Sequence, residues 1–479
     1  PIKAASGRVY VVYTYNTPNL AEWEGKRVRA DTHGDIVLKY SDDHGRTWSA
    51  ERYRLPNRPM AIDRANFFGG RPRICWCVGK PILAGSRVYF GGSKVGHPAV
   101  APGPTEGIFF TSPNLLTEPD PARIRWRLLP EGDVGLKAPQ GHIAEEQNLV
   151  QLSDGGLYCV YRTVDGFLCS AYSRDGGRSW TGPEYARYSP GGRFIKNPRG
   201  PAFIRKFSNG KYLLIYYNHG GRDFTGRNPY WLSGGVERDG FIHWSEPEIA
   251  LYDDEPNTRI GYPDFIEQDG RFWITETNKS VARIHEIDPA LIHGLWNQPR
   301  NDRVAREGLL LHVERPTGET ELPALPNPAA GGGFTLDFDL EPGEGPGERT
   351  ILDARNTAGP GLRVRLLETG ALRLELADGA TADAAESDPG LLTPDRRHHV
   401  SVIVDGGPKV VTWVVDGVLC DGGAARPQGW QRFSRALGEV CPGGPAGIPR
   451  EASDRLRHLR VYGRYLRTSE AVGNWRAGR

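Results

Sequence analysis

At 479 residues the chain is long for one hydrophobic core, which points to two or three domains. Its formal net charge is +2, from 60 Lys+Arg against 58 Asp+Glu, and it has no long basic run, so nucleic acid is a poor default partner. With 61 Gly, 38 Pro and 12 Trp, the composition suits a turn-rich, all-β protein with rings available for stacking on sugars. No apolar stretch approaches the ~20 residues needed to span a bilayer. The chain opens at Pro1 without Met, so any signal peptide has been removed or lies outside the sequence; localisation is left unknown, with secretion only a suspicion.

In chain order, short strands separated by Asp-Gly, Asn-Gly, Gly-Gly and Pro signals are predicted at Val9–Tyr15, Gly34–Tyr40, Arg73–Cys77, Arg87–Gly91, Gly107–Thr111, Asn148–Leu152, Gly156–Arg162, Tyr212–Asn218, Phe265–Glu267, Arg271–Glu276 and Ala282–Ile287. Pro289–Asn297 reads as a short helix, and the Pro-rich stretch 315–331 as loop. Beyond it, Phe334–Leu340, Gly361–Leu367, Leu372–Leu376, His399–Val404, Lys409–Val415 and Leu456–Tyr462 alternate apolar and polar residues with period two, as half-buried strands do. Asp416-Gly417 marks a hairpin turn, and the strand around Gly308–His312 is expected to join this second group. Cys75 and Cys77 share a strand face and make a poor disulfide pair; Cys159 and Cys169 could face each other across a hairpin; Cys420 and Cys441 flank a C-terminal loop. Buried free thiols are the expectation for the first two pairs.

The octapeptide Ser41-Asp42-Asp43-His44-Gly45-Arg46-Thr47-Trp48 fits S-x-D-x-G-x-[TS]-W, and the pattern returns at Ser173-Arg174-Asp175-Gly176-Gly177-Arg178-Ser179-Trp180. Asp followed two residues later by Gly favours a tight turn, and the Trp restarts an apolar strand. Degraded copies run from Ser112 to Trp126 and from Ser233 to Trp244. Repetition of one strand-turn-strand unit implies propeller blades. The octapeptide resembles the Asp-box of the sialidase (neuraminidase) superfamily. That resemblance covers about the first 290 residues by order and spacing. It implies a six-bladed β-propeller over residues 1–300, where length alone allows five or six blades. The ending Gly463–Trp475 resembles that of laminin-G/concanavalin-like jelly rolls, implying a β-sandwich over residues 301–479 with its leading linker. The fold class expected is therefore all-β, a six-bladed propeller followed by a sandwich that binds glycans or only buttresses the propeller.

Four constellations could carry chemistry. Asp31, on the loop before the first octapeptide strand, matches the sialidase acid/base; Asp35 is the nearby alternative. Glu146, followed by a strand ending in Arg162 and then the second octapeptide, matches the Glu that pairs with the nucleophile, and Arg162 matches one of three arginines that clamp the substrate carboxylate. Glu145 is the alternative, because strand alternation lets only one of the two face a pocket. The loop 218–230 offers Arg222 and Arg227 as further clamp residues, with His219 beside them, and Arg199 as an additional substrate contact. Tyr262, in Gly261-Tyr262-Pro263-Asp264, resembles the sialidase nucleophile; a phenol, unlike a carboxylate, is not repelled by an acidic sugar. Asp264 and Glu276 are alternative carboxylates.

One element of the resemblance is missing. The chain starts at Pro1-Ile2-Lys3 with no Arg ahead of these residues, so the first clamp Arg lies upstream of Pro1 or is absent; Arg64 and Arg73 are substitutes with no motif behind them. The implied activity is an exo-acting glycoside hydrolase of sialidase type. It would release a terminal acidic sugar from an oligosaccharide or polysaccharide with retention, and need neither metal nor organic cofactor. The alternative is a polysaccharide lyase acting on a uronate by β-elimination. It would use His33, His142, His219 or Tyr262 as base and Arg162, Arg222 or Arg227 to neutralise the carboxylate. A non-catalytic lectin ranks third.

Overall fold

A computed structural model describes residues 1–16, 21–23, 25–27, 34–66, 68–70, 75–76, 79–96, 103–218, 227–253, 255, 260–277, 280–344, 347–357, 359–394 and 396–478. The protein is mostly β, built from many small antiparallel sheets. It divides into two compact units. The first comprises Pro1–Tyr217, Gly235–Trp244 and Gly261–Phe265, and the second comprises Asn218–Gly234, Ser245–Ile260 and Ile266–Arg479.

The first unit is a succession of up-and-down sheets. Val9–Tyr15 lies between Ile2–Lys3 and Asp35–Ser41, with Val9 opposite Ser41 and Tyr15 opposite Asp35. Arg87–Val95 pairs with Thr105–Ser112 in the next sheet, and Glu145–Gln151, Leu157–Arg162 and Cys169–Ser173 form the one after. Arg87–Val95 runs four residues past its predicted end at Gly91, because Gly91-Gly92 continues the strand instead of ending it.

The two octapeptides fold alike, bond for bond. Ser41 Oγ donates to Asp43 Oδ1 (2.7 Å) and accepts from Gly45 N (2.7 Å), while Asp43 accepts from Thr47 N (2.8 Å) and Thr47 Oγ1 (2.6 Å). The second copy repeats this with Ser173, Asp175, Gly177 and Ser179 at 2.9, 2.8, 2.9 and 2.6 Å. Bonds from Thr47 and Ser41 bring the Asp43 carboxyl down to about 2; at Asp175 slight burial acts the other way, but Ser179 and Ser173 still bring it to about 2. The copy at Ser112 keeps the plan with Asn114 for Asp: Asn114 Oδ1 accepts from Arg125 N at 2.9 Å, just before Trp126. The turn is only lengthened. Ser233–Trp244 differs, since its latter part is a plain hairpin in which Gly235 faces Trp244 around Asp239-Gly240. Trp180 stacks on Phe109 of the preceding sheet, ring centroids 4.6 Å apart, and Trp126 meets Phe90 edge-on at 5.7 Å.

In the second unit, Leu309–Val313, Leu456–Tyr462, Phe334–Leu340, His398–Asp405 and Val410–Val415 are neighbours in one sheet. Arg349–Asp353, Gly361–Leu366, Leu372–Ala377 and Ala382–Glu386 form another, and a single core joins Phe338, Val402 and Trp413 of the first to Val364, Leu374 and Leu376 of the second. Alternation explains this. Leu362, Val364 and Leu366 are buried, whereas Arg363 and Arg365 face outward to Glu375. Each buried aliphatic side chain stabilises by about 1.5–3 kcal/mol and each outer ion pair by about 0–1 kcal/mol, so the core sets the register. At the predicted hairpin, Asp416 (φ 50°) and Gly417 (φ 74°) are both left-handed, as a two-residue turn between Val415 and Val418 requires. Pro289–Asn297 is helical as predicted, with Asp288 Oδ1 accepting from Ala290 N at 2.8 Å.

Cys75, Cys159, Cys169, Cys420 and Cys441 are free and buried; Cys77 lies outside the described residues. Cys159 stands opposite Ala171 and Cys169 opposite Tyr161, so the two are offset along the ladder and do not face each other.

The second face of Phe334–Leu340 is not left to water. Asp337 is fully buried there and accepts from Ser401 Oγ (2.7 Å), Arg460 Nη1 (2.8 Å) and Asn474 Nδ2 (3.1 Å), the last on the C-terminal helix Thr468–Ala477. Burial pushes the Asp337 carboxyl up, but His399, Ser401 and Arg460 outweigh it and bring it down to about 2. A carboxyl depressed on folding stabilises above its unfolded value of about 3.9 and loses that contribution as pH falls toward 2. Asp337→Asn should therefore cost about 3 kcal/mol or more at pH 7, because Arg460 is left buried without its partner. Denaturant unfolding of both proteins should show this gap closing as pH falls from about 4 towards 2. Equal stability at pH 7 would rule out a net contribution from the cluster.

Candidate functional site

Glu145 stands opposite Arg162, but the next aligned pair is Asn148 with Val160, so one extra residue is inserted in the strand Glu145–Gln151. The insertion is a β-bulge, and Glu146 takes it up with φ 60°. Strand alternation would send Glu145 and Glu146 to opposite faces; the bulge instead turns both toward Arg162. Arg162 Nη2 lies 2.9 Å from Glu145 Oε2, and Arg162 Nη1 donates to Glu146 Oε1 at 3.1 Å. The expectation that only one of the two glutamates faces the site is corrected by this insertion.

A non-glycine residue at positive φ costs about 1–3 kcal/mol and persists only where its surroundings fix it. Here both polar groups of the Glu146 backbone are held. Its N–H donates to Ser93 Oγ at 3.2 Å, and its carbonyl accepts from Asn148 Nδ2 at 2.9 Å. Asn148 Nδ2 also reaches Ala202 O at 3.0 Å, and Ser93 Oγ donates to Gln147 Oε1 at 2.9 Å. Glycine is required alongside: a Cβ on Gly91 would sit 2.1 Å from Gln147 O, and one on Gly107 would sit 2.4 Å from Gln147 Nε2.

Tyr262, 116 residues further along, donates its hydroxyl to the same Glu146 Oε1 at 3.1 Å. Its φ of 49° is a second left-handed non-glycine conformation, and its ring meets Phe203 edge-on at 6.4 Å. Glu146 Oε1 thus accepts from a guanidinium and from a phenol. Glu146 Oε2 is buried and has no hydrogen-bond partner among the described residues. Burial pulls the Arg162 guanidinium down, but the fields of Glu146 and Glu145 outweigh it and its pKa ends above the ordinary value. A guanidinium has five N–H groups, so these contacts leave donors over.

The structure brings together Glu145, Glu146, Arg162 and Tyr262. Asp31, His33, Arg73, His219 and Arg222 lie outside the described residues. Asp35 opens the strand Asp35–Ser41 and lies 3.3 Å from Arg54 Nη1. Arg199 is exposed, next to Gly200, which packs on the ring of Tyr217. His142 is exposed. Asp264 is paired with Lys80 at 2.5 Å, and Arg64 with Asp133. Arg227 and Glu276 belong to the second unit, where Glu276 pairs with Arg283 at 3.0 Å. Sequence reasoning missed Ser93 and Asn148. The signal available was Gly91-Gly92-Ser93-Lys94, a glycine pair followed by two polar residues inside an apolar strand, which marks a close approach of backbone. Among the described residues no group of three or more His, Cys, Asp or Glu could hold a metal ion, and no helix is long and apolar enough to cross a membrane.

No protein-family model matches the chain, and no curated protein matches it in sequence. Among solved structures it is similar to the Trypanosoma rangeli sialidase, at 12% identity over 100% of this chain and 93% of that one, with a TM-score of 0.35. It is also similar to the NanB sialidase of Streptococcus pneumoniae, at 20% identity over 50% of this chain and 32% of that one, TM-score 0.36. A Dyadobacter fermentans protein of unknown function is similar at 16% identity over 57% and 70%, TM-score 0.37. Likenesses this distant carry no argument about activity.

A buried guanidinium flanked by two carboxylates is strongly coupled. Arg162→Ala should destabilise the first unit by about 3–5 kcal/mol, because it leaves two buried carboxylates uncompensated. Adding Glu145→Gln to that variant should recover part of the loss, as a double-mutant cycle in thermal or denaturant unfolding would show. Additive effects of the two changes would mean that the groups do not interact.

Proposed function

We propose that the chain is an exo-acting glycoside hydrolase of sialidase type, built on a six-bladed propeller over residues 1–300 and followed by a sandwich over 301–479. Its substrate is a terminal acidic sugar, sialic acid or a related keto-sugar acid, on an oligosaccharide or polysaccharide. The reading rests on one observation above all, the 3.1 Å hydrogen bond from Tyr262 OH to Glu146 Oε1. In support stand the order of Glu146, Arg162 and Tyr262 relative to the two octapeptides, and the left-handed backbone at both ends of that bond, since strain of this kind concentrates at functional sites.

In this mechanism Glu146 takes the phenol proton as the Tyr262 oxygen attacks the anomeric carbon. Asp31 gives its proton to the leaving oxygen, and the glycosidic bond breaks. Water then attacks the tyrosyl-sugar intermediate with Asp31 as base, and Tyr262 leaves with its proton returned by Glu146. Configuration is retained. A neutral nucleophile suits a site where two glutamates already outnumber one arginine and the incoming sugar is itself an anion. Arg162, with donors to spare, binds the substrate carboxylate, and Arg199 contacts the rest of the sugar.

Tyr262→Phe keeps the ring and removes the nucleophile. Turnover should fall at least about a thousandfold, while stability changes by no more than about 0.5–1.5 kcal/mol, one hydrogen bond. The assay is a panel of acidic oligosaccharides read by mass spectrometry and ultraviolet absorbance. Hydrolysis adds water to the products, whereas β-elimination gives an absorbing unsaturated uronide without added water. Near-normal turnover by Tyr262→Phe sinks the hydrolase reading, and an absorbing product replaces it with the lyase. Arg162→Lys preserves charge but loses the planar fork, so KM for the acidic substrate should rise about tenfold or more; unchanged kinetics would remove Arg162 from substrate binding.

A further inference from the structure

The second unit carries an open cavity of ≈ 460 Å³ whose wall includes Tyr252, Asp405, Thr412 and Tyr465. Its size falls in the range of small-ligand sites, about 300–1,000 Å³. Two of these side chains are large rings that folding has not buried: Tyr252 is 46% and Tyr465 44% exposed. Tyr252 is held over Gly407, where an added Cβ would lie 2.8 Å from its hydroxyl.

The charged groups of the wall are committed, with one exception. Glu248 accepts from Thr468 N and Ser469 N, both at 3.0 Å, at the start of the C-terminal helix. Glu286 makes a two-pronged pair with Arg271, and Asp288 is paired with Arg467 at 2.5 Å. Asp405 uses only Oδ1, which accepts from Gly407 N at 2.9 Å; its Oδ2 has no partner among the described residues. The Lys409 ammonium donates to Pro328 O and Gly406 O at 2.6 Å each and makes no hydrogen bond to Asp405 among the described residues, although its charge acts on that carboxylate. The hydroxyls of Thr412 and Tyr465 likewise make no hydrogen bond among the described residues. The cavity therefore presents exposed aromatic surface, one unspent carboxylate oxygen and two unspent hydroxyls, on a wall richer in acids than in bases.

We propose that this cavity is a carbohydrate-binding site for a neutral sugar residue of a glycan. A pyranose has an apolar C–H face that fits a tyrosine ring and hydroxyls that donate to a carboxylate, and it carries no charge for Asp405 to repel. Anionic sugars are disfavoured by the same carboxylate. The site is separate from Glu146 and Tyr262, and the inference stands whether or not those residues are catalytic.

The test is titration of the full chain with lactose, maltose and cellobiose, and with glucuronic acid as the anionic comparison, by calorimetry and saturation-transfer NMR. At least one neutral disaccharide should bind saturably with Kd on the order of 1 mM. Tyr465→Ala, Asp405→Asn and Thr412→Val should each weaken it by about fivefold or more, one lost contact apiece, while Tyr262→Phe leaves it unchanged. Circular dichroism checks that each variant is folded; should Tyr465→Ala unfold, Asp405→Asn and Thr412→Val decide. The proposal is overturned if no neutral sugar saturates, if glucuronic acid binds more tightly, or if binding survives in every folded variant of the cavity.

Discussion

One inserted residue governs the first unit's site. Without the bulge at Glu146, the two glutamates of the strand Glu145–Gln151 would point to opposite faces, and Arg162 would meet one carboxylate. With it, a buried guanidinium is gripped by both. Taking such groups out of water costs several kcal/mol per ion, which mutual attraction offsets only when the geometry is good. That requirement propagates outward. Ser93 and Asn148 must hold the bulged peptide, and Gly91 and Gly107 must leave room for Gln147. Tyr262 then finds its acceptor on the same oxygen that Arg162 uses, so the phenol's environment follows from a backbone irregularity in a distant part of the chain.

The octapeptide turns show how a carboxylate can be structural and leave chemistry to others. Asp43 and Asp175 spend their acceptor capacity on the turn itself, and the hydrogen bonds that depress their pKa are the bonds that shape the loop. Asn114 replaces Asp without loss of the key bond, because that bond needs an acceptor oxygen and not a charge. The longer loop between Asn114 and Trp126 is accommodated since loop closure becomes only slowly harder with length.

In the second unit the polar residues of one strand meet protein where alternation alone would send them to water. Phe334, Leu336, Phe338 and Leu340 enter the core, while Asp337 on the opposite face is sealed by contacts that include Asn474 of the C-terminal helix. A buried carboxylate is tolerable there because Ser401, Arg460 and Asn474 donate to it and His399 Nε2 lies 3.2 Å away.

Local signals in the sequence sufficed for the elements. Val9–Tyr15, Ala282–Ile287, Pro289–Asn297, Phe334–Leu340 and Leu456–Tyr462 run as periodicity and turn residues predict, because each depends on its own side chains meeting one apolar face. The candidate residues Glu146, Arg162 and Tyr262 were also legible, through their order relative to a repeated turn. What the sequence could not convey was the bulge, since plain alternation is the expectation for Glu145 and Glu146 and nothing local distinguishes one register from the next. Nor could it reveal that Ser93 and two glycines of another sheet support that bulge, or that Cys159 and Cys169 are offset along their ladder. Those depend on pairing between segments remote in the chain, where the tertiary structure alone decides which polar groups are buried together and must therefore satisfy one another.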